Sequence, residues 1–94
     1  MNITNAWTFL RNWAMSNVPG LAGDITGAGE WVAQNFPDVN ERHFNRSRYD
    51  LYGNDMTAPG YDAIDSMNNI SPFVVEAYNF VEENTPEPEL PALP

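Results

Sequence analysis

Proline can begin a helix but cannot continue one, because its ring fixes φ and removes the backbone donor that the preceding turn needs. The eight prolines of this 94-residue chain therefore mark where helices are allowed. Val18-Pro19-Gly20 closes a first segment, Phe36-Pro37 closes a second, Ala58-Pro59-Gly60 falls in a loop and Ser71-Pro72 opens a last segment. The remaining four prolines lie in the final ten residues, Thr85 to Pro94. That stretch reads as an extended polyproline-II arm outside the core.

Between these punctuation marks the apolar spacing is helical. Ala6, Phe9, Leu10, Trp13 and Asn17 share one face from about Asn5 onward, and Trp7, Leu10 and Ala14 overlap it, giving a broad apolar arc. Thr4 or Asn5 is the expected cap. Ile25, Ala28, Val32 and Phe36, with Trp31 alongside, predict a second helix behind Asp24 as N-cap, weakened by Gly27 and Gly29 at about 1 kcal/mol each relative to alanine. Pro37 predicts a third, shorter helix with Val39, His43, Phe44, Ser47 and Leu51 on its buried side. Tyr52-Gly53-Asn54-Asp55 and Ala58-Pro59-Gly60 bracket a loop, and a short helical piece follows over 61–68. Ser71 as N-cap with Pro72 at the first helical position is the clearest helix start, ahead of Phe73, Val74, Ala77, Tyr78, Phe80 and Val81. No repeat and no sustained strand alternation interrupts this plan. The expected fold is all-α: a small bundle of about four short helices in a single domain over 1–84, with a proline-rich acidic tail over 85–94.

Charge narrows the function. Four arginines, no lysine and thirteen acids leave a net charge of −9. Residues 1–40 sum to −2 and residues 41–60 to zero, while everything after Gly60 carries seven acids and no base. Such a chain is expected neither to bind nucleic acid directly nor to settle on an anionic membrane. Without cysteine, disulfides, thiolate metal sites and a cysteine nucleophile are excluded. No stretch approaches the roughly 18 apolar residues of a spanning helix, and the N-terminus lacks a signal-peptide pattern. A soluble protein, cytoplasmic or within a particle and not secreted by a signal peptide, is the expectation. Asn2-Ile3-Thr4 and Asn45-Arg46-Ser47 match glycosylation acceptors, which are discounted on that ground.

The candidate chemical sites are weak. Gly23, Gly27 and Gly29 resemble a phosphate cradle but lack a preceding strand and a lysine. Asp24 to Asn35 has the length of a calcium loop, yet Thr26 and Ala28 replace ligands and Asn35 stands where a bidentate glutamate is needed. His43 is the only imidazole; with Ser47 at helical distance it would form a dyad lacking an orienting acid. The pairs Asp62/Asp65 and Glu82/Glu83 read as solvated faces. No metal and no cofactor is expected, and a small hydrolase using His43 ranks last.

The aromatic and charged segments point instead to a partner. Tryptophans and phenylalanines supply the core of a domain this small. The arc on the first helix is wider than one face, however, so part of Trp7, Phe9 and Trp13 is expected to stay exposed. Arg42, Arg46 and Arg48, interleaved with Phe44, Tyr49 and Tyr52, resemble a phosphate patch. Glu41, Asp50 and Asp55 neutralise that patch. The arginines are expected to pair with those acids, with the acidic last helix or with an acidic neighbour. The predicted partner-binding residues are Trp7, Phe9, Trp13, Arg42, Arg46, Arg48, Glu82, Glu83, Pro86, Pro88, Leu90, Pro91 and Leu93. The function expected is a non-enzymatic structural or accessory subunit of a larger assembly, a virus particle for instance, with a protein partner or a second copy of the chain. The alternative is an acidic inhibitor that mimics nucleic acid, which needs carboxylates in a row on one exposed face.

Overall fold

The computed structural model describes residues 2–85 and builds them into five α-helices. These are α1 (Ile3–Asn17), α2 (Ile25–Asn35), α3 (Pro37–Phe44), α4 (Ala63–Asn68) and α5 (Pro72–Asn84). The fold is all-α; among the described residues the sole β-type pairing is an isolated bridge between Tyr49 and Asp55. The proline-rich arm, with Pro86, Pro88, Leu90, Pro91 and Leu93, lies outside the described residues.

Local rules explain most boundaries. Asp24 caps α2 by accepting from the Gly27 amide at 2.8 Å. The same contact explains the glycine: a Cβ there would sit 2.5 Å from Asp24 Oδ2 and 2.9 Å from Leu21 Cδ2. Helix α2 stops at Asn35, and Pro37 opens α3 directly behind Phe36. Ser71 accepts from the Phe73 amide at 3.3 Å and Pro72 starts α5, as the sequence predicts.

Three boundaries differ from expectation, the smallest being that of α4, which starts at Ala63 behind Asp62 as its cap and not at Tyr61. Helix α1 begins before Thr4 and Asn5, because Asn2 is its cap, accepting from the Asn5 amide at 2.9 Å. That start brings Ile3 into the core, where its amide donates to the Leu51 carbonyl at 2.6 Å. Helix α3 ends at Phe44, so Ser47 and Leu51 are not on it. Beyond Asn45 the amides of Arg48 and Tyr49 both turn back onto the Asn45 carbonyl, and the chain folds over to pair with residues 54–56. Of the buried face predicted for α3, Val39 is in the core, while Phe44 and Leu51 are exposed.

Helix α1 is central. It packs against α2, α3 and α5, while α2 also meets α3, and α3 meets α5. Ile3, Ala6, Trp7 and Leu10 of α1 close onto Val32, Phe36, Val39, Val74, Ala77 and Val81. At one end of this core Trp13, Trp31, Phe36 and Phe80 form a four-ring cluster with centroids 5.0–5.8 Å apart. Tilted and edge-on pairs of this kind contribute about 0.5–1.5 kcal/mol each beyond their buried area. Helix α4 packs against no other helix and is held by the loop that precedes it.

Candidate functional site

The three tryptophan and phenylalanine candidates of α1 have different fates. Trp7 is only 8% exposed, which corrects the expectation that it faces a partner. Helix α3 covers that side of the arc: the His43 imidazole lies flat on the indole at 4.4 Å and 4°, Phe44 meets it edge-on, and Trp7 Nε1 donates to Asn40 Oδ1 at 3.0 Å. Trp13 is half-buried in the four-ring cluster, and its Nε1 donates to Thr85 Oγ1 at 3.0 Å. Phe9 alone remains largely outside, 40% exposed and stacked on Tyr78 of α5 at 5.0 Å.

His43 is a packing residue. Burial first, then the charges of Arg46 and Arg11, hold its pKa below the ordinary histidine value, which favours the neutral ring on Trp7. Because α3 ends at Phe44, the helical spacing that would have brought Ser47 to His43 does not exist.

The arginines also separate. Arg42 is an internal clamp, its side chain 14% exposed, with the guanidinium carbon 4.1 Å over the Phe73 ring and 4.6 Å over Tyr49. Its Nε donates to the Gly53 carbonyl at 2.9 Å and its Nη1 to the Asp38 carbonyl at 3.1 Å. It reaches the acidic last helix through an aromatic face and not through a carboxylate, so it is not available as a partner residue. Arg48 pairs with Asp55, Nε and Nη2 both donating to Oδ2 at 3.1 and 3.0 Å, as the local charge balance predicts. Hydrogen bonds from Thr57, then Arg48, hold the Asp55 pKa down at about 2. Arg46 is exposed and donates to the His43 carbonyl at 3.0 Å.

Sequence reasoning missed the hub of the loop. Asp50 accepts four hydrogen bonds: from the Tyr52 and Asn54 amides at 2.9 and 3.0 Å, from Tyr61 Oη at 2.7 Å and from Ser66 Oγ. Burial pushes its pKa up, but these donors, Ser66 and Tyr61 foremost, outweigh it and leave the carboxyl below its ordinary value. Asn54 Nδ2 donates in turn to Ser66 Oγ and to the Asn69 carbonyl, so α4 is stapled to the loop. The available signal was the Asp-Leu-Tyr-Gly-Asn run, in which an aspartate caps the amides that follow it. A depression of about 260 Å³ beside the hub is edged by Asp62 and Asp65, yet among the described residues no three His, Asp or Glu side chains converge on a metal position.

What remains open is the seam between α1 and α5. Asn5, Thr8, Phe9 and Asn12 face Tyr78 across a groove of about 300 Å³. Val75 lies one turn before Tyr78 and is 40% exposed, while Glu82 and Glu83 stand exposed toward the end of α5. Among the described residues no helix is long and apolar enough to cross a membrane. Set against known proteins, the chain has no significant match to any family model, curated protein or solved structure.

Proposed function

We propose that this chain is a non-enzymatic accessory subunit that docks a protein partner in a larger assembly through the α1/α5 groove. The observation that carries the reading is the Phe9–Tyr78 stack: Phe9 stands outside the core cluster, yet its ring is held in place against a second aromatic. A rigid aromatic in a groove gives a partner large contact area at little entropic cost. Asn5, Thr8 and Asn12 supply a rim that can hydrogen-bond. The acids of α5 add a charged border.

Four carboxylates take part in bonds within the fold. Asp24 and Asp62 cap helices, Asp50 serves the loop hub and Asp55 holds Arg48. The test is recovery of bound partners from the native source at low and high salt, with the wild-type chain and with Phe9→Ser. Capture by wild type that persists at high salt and is lost with Phe9→Ser is expected. Equal capture by both chains, or release of all partners by salt alone, overturns the reading.

A further inference from the structure

We infer that the groove at the α1–α2 turn binds a proline-rich peptide that carries a basic residue. The groove has a volume of about 390 Å³. Val18, Pro19, Leu21 and Trp31 line it together with Asp24 and Glu30.

Three features fit one ligand chemistry. A polyproline-II strand has no internal hydrogen bonds and presents solvated carbonyls, so it is recognised by flat apolar side chains together with a donor. Trp31, which lines the groove, carries both kinds of group. Its ring is fixed by Trp13, Phe36 and Phe80, and among the described residues its indole N–H has no hydrogen-bond partner, whereas those of Trp7 and Trp13 do. A ring already held in place loses little freedom when a ligand arrives.

Charge selects the ligand further. Asp24 and Glu30 are exposed, among the described residues no cation lines the groove, and the whole chain stands at −9. Asp24 Oδ1 caps α2, while Oδ2 accepts no hydrogen bond among the described residues. A basic side chain on the peptide would meet both carboxylates. The chain's own arm has the proline content but the opposite sign, with Glu87 and Glu89. It also starts nearby, since Thr85 is bonded to Trp13, which makes it the proper competitor.

This groove shares no residue with the Phe9–Tyr78 seam, so the two surfaces fail independently. The experiment titrates the intact chain with three synthetic ten-residue peptides: alternating proline and leucine with two arginines, the same peptide with glutamates replacing the arginines, and a copy of residues 85–94. The readouts are the Trp31 indole N–H resonance and tryptophan fluorescence. Saturable binding of the basic peptide with a shift of that resonance is expected, unchanged in Phe9→Ser. A double variant, Asp24→Asn with Glu30→Gln, is expected to weaken it by about tenfold or more, as loss of complementary charge does. Asparagine caps as well as aspartate, so this variant keeps α2 intact. The inference is overturned if the basic peptide does not bind, if the acidic peptide or the 85–94 peptide binds as well, or if the double variant binds with wild-type affinity. Loss of partner capture in Phe9→Ser with peptide binding retained separates this site from the proposed docking seam.

Discussion

Arg42 lies between two rings and donates to two carbonyls, a geometry that depends on a planar cation. Lysine keeps the charge but cannot lie flat on Phe73 while donating to Gly53. Arg42→Lys is therefore expected to cost about 1–2 kcal/mol in urea unfolding, whereas Arg46→Lys should stay within about 0.5 kcal/mol. In the sequence the arginines are indistinguishable; Tyr49 and Phe73 reach Arg42 only because a turn and a distant helix fold onto α3. His43 sets a pH dependence of stability. Its native pKa is lowered from 6.5, so the unfolded chain takes up a proton first, and stability is lost as pH falls from that value toward the native one. Between pH 7 and pH 5 the urea midpoint should fall, and His43→Phe, which keeps a flat ring on Trp7, should flatten the decline. Asp50 and Asp55 act lower on the scale. Both native pKa values lie below 3.8, so their contribution is present above that value and is lost on acidification, toward about 2 for Asp55.

Two helix starts, those of α2 and α5, were legible from their caps. Asp24 and Ser71-Pro72 satisfy orphan amides by short-range chemistry that needs no knowledge of the rest of the fold. The start of α1 and the end of α3 differ from the expectation: Asn2 caps α1 one turn ahead while Ile3 is tied to the distant Leu51, and the Asn45 carbonyl gathers a local turn behind Phe44. Gly53 belongs to the same scale. Its φ is +83°, and a Cβ would lie 3.0 Å from the Cβ of the buried Ser71. Gly53→Ala is expected to cost about 2 kcal/mol in thermal unfolding, more than the roughly 1 kcal/mol of Ser71→Ala. Helix α4 is tied to the loop through Asp50 and Asn54. Asp50→Ala should speed hydrogen exchange across Ala63–Asn68 while leaving α1 and α2 protected, since neither touches that helix.

For the molecule as a whole, the all-α class and the helix order followed from proline placement and apolar spacing. The open seam between α1 and α5 did not. Trp7 and Phe9 sit on one broad arc, and helix packing, that of α3 above all, covers the first while the second stays 40% exposed. The charge plan was readable as a total but not as a use, because a capping or pairing aspartate looks the same in sequence as a solvated one. Seven acids without a base after Gly60 repel one another, so moderate salt should raise the melting temperature, against the small loss expected from screening Arg48–Asp55. A melting temperature that falls with salt would show that local ion pairs outweigh the long-range repulsion.

The central place of α1 also bears on how the chain is made. During synthesis this amphipathic, tryptophan-bearing segment emerges well before Val74, Ala77 and Val81, which complete its shelter. A nascent chain must therefore carry a sticky helix until α5 has followed it, and ribosome-bound fragments ending before α5 are the species from which misassembly would start.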